Sequence, residues 1–157
     1  MADNQELVLE LKDGDVVIEL RDDLAPTHVS RIKELVGEGF YNGLNFHRVI
    51  DNFMAQTGDP LGNGTGGSGH NLSAEFSDAK HTRGTVSMAR AQDPNSADSQ
   101  FFICFQDAEW LDGQYTIWGQ VTSGMDFVDQ IKKGHSHSGT VENPDKILKM
   151  YLREKVS

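Results

Sequence analysis

Arg48 and Gln56 are the polar residues whose apolar surroundings most favour a chemical role. If each lies on a strand and a turn joins the two strands, Arg48 shares a face with Phe46 and Ile50, and Gln56 shares a face with Met54. A guanidinium removed from water needs hydrogen-bond partners, and the Gln56 amide can hold its planar fork in place. These residues alone leave two interpretations open: a functional arginine held by Gln56, or an arginine whose head simply extends into water.

Other motifs that can carry chemistry are incomplete in this chain. Residues 62–67 match the spacing G-x-G-x-x-G, but no helical periodicity follows them, and a dinucleotide site needs a helix N-terminus there. We therefore expect a glycine loop that passes close to another backbone segment. The segment 135–137, His-Ser-His, has no third or fourth ligand nearby, which favours a solvated loop over a metal site. The hydrolase elbow G-x-S-x-G is absent as well. Taken together, these incomplete motifs predict that the protein uses no metal and no cofactor.

Composition narrows the class of protein. The 157 residues include 14 Lys and Arg against 24 Asp and Glu, and the formal charge of −10 disfavours binding to nucleic-acid phosphates. The single cysteine, Cys104, cannot form an intrachain disulfide, and its apolar neighbours favour a small buried side chain. The first residues do not resemble a leader, and no apolar run approaches the roughly 20 residues of a membrane helix. We expect a cytoplasmic protein that does not bind membranes.

Hydrophobic periodicity predicts eight short strands and two helices. A two-residue alternation covers residues 7–11 and, after the hairpin dipeptide Asp13-Gly14, residues 15–20. Helical spacing follows Pro26 and recurs around Phe127, where the second helix is expected to end in Lys132-Lys133-Gly134. The remaining candidate strands are residues 45–50, 53–57, 85–89, 100–105, 115–121 and 146–153.

This pattern favours an all-β fold, a closed eight-stranded antiparallel barrel capped by two short α-helices, because closure leaves no unpaired strand edge. No repeat or linker interrupts the chain, so we expect a single domain over residues 1–157. The irregular stretch from Gly58 to Lys80 is longer than an ordinary connection, which indicates a functional role for it.

Several motifs, in order along the chain, resemble the cyclophilin family of peptidyl-prolyl cis–trans isomerases. They are FHRVI, FMAQTGDP, NGTGG, SMARA, SQFFI, EWLDG and GMDFVDQI, which begin at residues 46, 53, 63, 87, 99, 109 and 124. They contain 41 of the 157 residues, and several motifs in one order are more specific than any single motif. The resemblance implies the same barrel with two capping helices.

The resemblance also implies the roles of individual residues. Arg48 corresponds to the family's catalytic arginine, and Gln56 to the residue that orders this arginine and touches the substrate. Phe53, at the catalytic centre, would form the walls of a proline pocket together with Met54, Phe102 and Leu111. The neighbouring groove would be lined by Gly64, Ala89, Arg90, Ala91, Trp110 and Tyr115. Two positions depart from many relatives. Arg90 stands where they have an Asn, which changes little if the contact is made through the backbone. Tyr115 stands where they have a His, and rate and peptide preference depend on that rim of the groove.

The activity implied is acceleration of rotation about X-Pro peptide bonds in peptides and folding proteins, by a monomer. Because no bond breaks, no nucleophile, metal or cofactor is needed. Retention of Trp110 resembles the cyclosporin-sensitive members, so cyclosporin is a further expected ligand. Two alternatives stay open: a binding module or holdase that uses the groove without turnover, and a hydrolase or nuclease built on His47 and nearby carboxylates. We expect His47 to face away from the groove, because it alternates with Phe46 and Arg48.

Overall fold

The computed structural model describes residues 5–134 and 138–155, and it is built mainly of β-strands. The strands are β1 Gln5–Leu11, β2 Gly14–Leu20, β3 Arg48–Ile50, β4 Met54–Thr57, β5 Thr85–Met88, β6 Phe101–Cys104, β7 Ile117–Ser123 and β8 Lys149–Glu154. The helices are α1 Pro26–Gly37 and α2 Met125–Asp129, and a single 3₁₀ turn covers Glu109–Leu111. Among the described residues, no helix is long and apolar enough to cross a membrane.

All eight strands belong to one antiparallel sheet in the order β3-β4-β6-β5-β7-β2-β1-β8. The sheet is curled, with β3 and β8 as its end strands. An isolated antiparallel bridge between Asn45 and Lys146 joins the chain just before β3 to the chain just before β8. The prediction of eight antiparallel strands and two helices is confirmed, whereas a fully closed barrel stays a prediction.

Apolar side chains cover both faces of the sheet where β4, β6 and β5 lie side by side. Phe101 and Ile103 of β6 belong to the main core, which α1 and α2 also enter. The alternate residues Phe102 and Cys104 belong to a second cluster on the opposite face, together with Met54, Ala108 and Leu111. Burial on both faces explains the continuous apolar run of β6. It also raises the pKa of the Cys104 thiol to about 12, in agreement with the predicted buried side chain.

Helix α1 begins with proline at its first position, where the missing N–H costs nothing. Its buried side chains recur at helical spacing: His28, Val29, Ile32, Leu35 and Val36. The carboxylate of Glu75 accepts hydrogen bonds from the backbone N–H groups of Thr27 and His28, at 3.2 and 2.8 Å. The irregular segment that contains Glu75 therefore caps the helix from a distance in sequence.

Three local predictions were wrong in detail. The first hairpin turns at Lys12-Asp13, and Gly14 already belongs to β2. Phe46 lies in the main core and does not share a face with Arg48, because the regular alternation of β3 begins only at Arg48. Helix α2 ends at Asp129, before the two lysines, although the Lys133 ammonium donates a hydrogen bond to the Asp129 carbonyl.

Candidate active site

A small cavity of about 110 Å³ opens beside the second apolar cluster, and we call it the apolar pocket. Its lining residues are Arg48, Phe53, Met54, Gln56, Ala89, Arg90, Phe102, Leu111 and Tyr115. Every one of them belongs to the site predicted from the sequence. Pockets for drug-sized ligands have volumes of about 300 Å³ or more, so this cavity suits a single apolar side chain or ring.

Strand pairing brings the polar and apolar parts of this pocket together. Arg48 of β3 lies opposite Gln56 of β4, and Gln56 lies opposite Phe102 of β6. Met54, two residues before Gln56, forms part of the floor together with Phe102. The 3₁₀ turn places Leu111 against the same cluster. Three neighbouring strands and one turn therefore fix the geometry.

Arg48 is exposed, and its guanidinium is held by two hydrogen bonds. Nη1 donates to Gln56 Oε1 at 3.2 Å, and Nε donates to the carbonyl oxygen of Ser138 at 2.9 Å. The predicted contact between Arg48 and Gln56 is therefore present. Arg48 also lines the apolar pocket, and these two hydrogen bonds give its guanidinium a defined orientation there.

Gln100, which the sequence interpretation missed, continues this chain of hydrogen bonds. Gln56 Nε2 donates to Gln100 Oε1 at 2.9 Å, and Gln100 Nε2 donates to the carbonyl oxygens of Gly64 and Gly66, both at 3.0 Å. Its position two residues before Phe102 was the available signal, because alternate residues of an extended segment share a face. Gln100 thus connects Arg48 and Gln56 to the glycine-rich segment.

The glycine-rich segment, residues 61–67, folds around the buried carboxylate of Asp59. This carboxylate accepts hydrogen bonds from the backbone N–H groups of Leu61 and Asn63, at 2.8 and 2.9 Å, and of Gly64. Burial raises the pKa of Asp59, but the backbone N–H groups outweigh burial and hold the pKa below its usual value. A side chain at Gly66 would collide with this carboxylate. The glycine loop thus passes close to acidic side chains and not, as predicted, to another backbone segment.

A larger cavity of about 250 Å³ adjoins the apolar pocket, and we call it the glycine-loop pocket. Gln56, Ala89 and Arg90 line both cavities, and the other predicted residues Gly64 and Ala91 line this one. The backbone N–H groups of Ala89 and Ala91 donate to the Gln100 carbonyl and the Ser96 hydroxyl, at 2.9 and 3.0 Å.

Trp110 is the one predicted site residue that lines neither of these cavities. Its side chain is 64% exposed, and its ring centroid lies 5.5 Å from that of Phe53. An aromatic ring with one face on the pocket wall and the other in water is suited to contact a bound ligand.

A buried hydrogen-bonded group, also missed from the sequence, supports the pocket wall from behind. His81 Nδ1 lies 3.1 Å from Asp112 Oδ1, and His81 Nε2 lies 2.9 Å from the Ser87 hydroxyl. The imidazole stacks on Phe102, with ring centroids 6.2 Å apart, and meets Tyr115 edge-on. Burial lowers the pKa of His81, and Asp112 opposes this only in part. A neutral imidazole therefore packs behind two walls of the apolar pocket.

His47 lies outside the apolar pocket, on a separate cavity shared with Arg48, Gln56 and the glycine loop. It is 8% exposed, and burial lowers the pKa of its imidazole. The predicted loop at residues 135–137 lies outside the described residues. Within the described part of the chain, no three His, Cys, Asp or Glu side chains cluster closely enough to hold a metal ion.

The amino-acid sequence of this chain is similar to a known protein family and to individual proteins of bacteria. The family described as cyclophilin type peptidyl-prolyl cis-trans isomerase/CLD matches residues 7–152. A probable peptidyl-prolyl cis-trans isomerase of Brucella suis is 60% identical over 156 residues, which cover 91% of this chain and 80% of that protein. A peptidyl-prolyl cis-trans isomerase of Helicobacter pylori is 49% identical over 125 residues, which cover 77% of this chain and 76% of that protein.

Solved structures are similar as well. A cyclophilin type peptidyl-prolyl cis-trans isomerase of Cryptosporidium parvum, crystallised in the presence of the dipeptide Ala-Pro, superposes with a TM-score of 0.86 at 28% identity. The match covers 96% of this chain and 99% of that one. A cyclophilin from Hirschia baltica gives a TM-score of 0.83 at 28% identity and covers 94% of this chain and 73% of that one.

Proposed function

The chain belongs to the cyclophilin-type peptidyl-prolyl cis-trans isomerase family, and from that premise we propose that the apolar pocket holds the proline ring while Arg48 promotes rotation of the preceding bond. The observation that carries this proposal is the Arg48 guanidinium, held by hydrogen bonds to Gln56 and Ser138, beside a small cavity with apolar walls.

The reaction requires stabilisation of a twisted amide. A peptide bond resists rotation with a barrier of about 18–20 kcal/mol, because its C–N bond has partial double-bond character. At the top of this barrier the conjugation is lost and the proline nitrogen regains a lone pair. A group that interacts with this nitrogen more strongly in the twisted state than in either planar state therefore accelerates the exchange.

Arg48 is suited to this task because its planar fork of N–H donors is held by Gln56 and Ser138. An N–H group aimed at the amide nitrogen stabilises the charge that develops there, without reorganisation during the reaction. Gln56 and Gln100 preserve this aim through their hydrogen bonds to each other and to the glycine-rich segment.

The walls of the apolar pocket contribute desolvation and anchoring. The pocket offers apolar surface to a pyrrolidine ring from Phe53, Met54, Phe102 and Leu111, and transfer of such a ring from water to this surface is favourable. The Cryptosporidium parvum relative was crystallised with the dipeptide Ala-Pro. We transfer this ligand class to the present chain, so that proline-containing peptides and folding proteins are its substrates.

Exchange spectroscopy on an Ala-Pro peptide tests the role of Arg48. We expect the wild type to accelerate cis–trans exchange and Arg48→Ala to lose most of that acceleration. Arg21→Ala is the matched control, because Arg21 is paired with Asp23 at 2.9 Å and lines neither the apolar nor the glycine-loop pocket. Near-wild-type turnover in a folded Arg48→Ala variant would reject the role.

The same groove is proposed to bind cyclosporin, on the support of the exposed Trp110 ring against Phe53. Inhibition of X-Pro peptide exchange by cyclosporin measures this binding, and Trp110→Ala is expected to weaken the inhibition. A holdase without turnover would bind the peptide and leave its exchange rate unchanged. The ordered Arg48 argues against this alternative, because passive apolar binding needs no guanidinium.

A further inference from the structure

Arg90 forms the ridge between the apolar pocket and the glycine-loop pocket and lines both cavities. Its guanidinium lies over the ring of Tyr115, with its central carbon 4.6 Å from the ring centroid. Nε and Nη2 donate to the Gln114 carbonyl at 3.2 and 2.7 Å, and Nη1 donates to the carbonyls of Ala91 and Gln92 at 2.9 and 3.1 Å. These contacts fix the side chain at the ridge before any peptide arrives.

Within the described part of the chain, the hydrogen bonds of the Arg90 guanidinium all go to neutral carbonyl oxygens. Among the described residues, neither Arg90 nor Arg48 has a carboxylate oxygen within salt-bridge distance, whereas Arg21, Arg83 and Arg153 each form ion pairs. In a chain with a formal charge of −10, two arginines without an acidic partner thus meet at one small pocket.

Among the described residues that line the two pockets, Asp98 is the only acidic one, and its carboxylate is already hydrogen-bonded. Asp98 lines the glycine-loop pocket, but Oδ1 accepts from the Ser68 backbone N–H and hydroxyl, and Oδ2 accepts from the Gly69 N–H. Three hydrogen bonds, all donated by Ser68 and Gly69, therefore hold this carboxylate in place.

We propose that Arg90 is a specificity residue that favours substrates with an acidic side chain one or two residues before the proline. This inference rests on the proposed function, because it assumes that the proline ring fills the apolar pocket. A chain leaving that pocket toward the glycine-loop pocket passes the ridge, since Arg90 lines both. A carboxylate there meets a prepositioned guanidinium, so little side-chain freedom of Arg90 is lost on binding.

The expected preference is modest, because Arg90 is only half-buried and solvent still reaches the ridge. Exposed charge pairs of this kind change an equilibrium about twofold to fivefold. Salt screens such pairs, so the preference should shrink as ionic strength rises.

The test compares kcat/KM for Ala-Glu-Pro-Phe with the neutral isostere Ala-Gln-Pro-Phe, and for Glu-Ala-Pro-Phe with Gln-Ala-Pro-Phe. For the wild type at low salt, we expect a Glu/Gln ratio of about two to five in at least one pair, falling toward one at high salt. Arg90→Gln should bring the ratio toward one, Arg90→Lys should retain part of it, and Arg83→Gln, the matched control paired with Asp129, should keep it.

The outcomes separate this inference from the proposed function. The role of Arg90 is overturned if the wild type gives a Glu/Gln ratio of one for both pairs, or if Arg90→Gln keeps the wild-type ratio. Turnover of the neutral peptides would still support the isomerase activity in either case. Absence of turnover for every peptide in the folded wild type overturns the proposed function itself.

Discussion

Arg48 shows how an exposed side chain can have a defined orientation. Its hydrogen bonds to Gln56 and Ser138 fix two edges of the guanidinium, and Gln56 is fixed in turn by Gln100. The sequence interpretation left open whether Arg48 simply extends into water. In the structure the side chain is exposed and also held by hydrogen bonds, whereas its catalytic role stays a proposal.

Gln100 should matter for catalysis through this chain of hydrogen bonds. Gln100→Leu removes its bonds to Gln56 and to the Gly64 and Gly66 carbonyls, so we expect kcat/KM to fall by about fivefold to tenfold, the equivalent of one lost hydrogen bond. Gln106→Leu is the control, since exposed Gln106 bonds only to Asn52 among the side-chain contacts described. Unchanged kinetics in a folded Gln100→Leu variant would contradict the positioning role.

Residue types and motif order were sufficient to predict the lining of the apolar pocket, but not what supports it. Arg48 and Phe102 stand in recognisable motifs, so their position in the site could be inferred from the sequence. Gln100 contacts Gly64, which lies 36 residues away in the sequence. His81 contacts Asp112, which lies 31 residues away. Such pairs depend on strand register and loop path, which local spacing does not specify.

At the scale of elements, Gly58, the residue that follows β4, illustrates how closely the segments around the site approach one another. It has a φ of +94°, and a Cβ there would lie 2.5 Å from the Ser99 carbonyl oxygen. Gly43 has a comparable φ of +81°, but a Cβ there would have no neighbour within 4 Å. A side chain at either glycine would strain the backbone, but only at Gly58 would it also collide with neighbouring atoms.

Alanine substitution of these glycines should therefore give different losses of stability. Gly43→Ala should lower the free energy of unfolding by about 1–2 kcal/mol, the cost of a left-handed conformation. Gly58→Ala should cost a further 1–3 kcal/mol or so, because the methyl group meets backbone that cannot yield easily. Urea unfolding measures both, and equal losses would show that the Ser99 segment moves aside freely.

Element types followed from periodicity better than element boundaries did. The alternation in β1 and β2 predicted both strands, and the Pro26 start of α1 was marked by proline. The 3₁₀ turn at Glu109–Leu111 was not predicted, because three residues carry no periodic signal. The length of α2 was overestimated, since its apolar spacing continues beyond Asp129 although the helix does not.

At the scale of the whole molecule, buried histidines should make stability depend on pH. Burial lowers the pKa of His28, His47 and His81, and carboxylate neighbours oppose this only in part. The unfolded chain takes up these protons near pH 6.5, before the folded chain does. Below about that pH the unfolded state binds more protons, so the free energy of unfolding falls as the solution is acidified.

Urea unfolding at a series of pH values between about 7.5 and 5 measures this effect. His81→Gln should reduce the loss of unfolding free energy on acidification, because the folded chain then contains one fewer buried imidazole that resists protonation. His70→Gln should leave the loss as in the wild type, since His70 is exposed. A wild-type stability that is flat or rises on acidification would contradict the prediction.

Separate measurement of kcat and KM on an Ala-Pro peptide is the most direct test of whether Arg48 acts on the twisted amide. Arg48→Ala should lower kcat about a hundredfold or more with little change in KM, as for loss of a donor that acts in the transition state. Phe102→Ala, which opens the wall of the apolar pocket, should mainly raise KM. The contradicting result is a folded Arg48→Ala variant that keeps the wild-type kcat and shows only a raised KM.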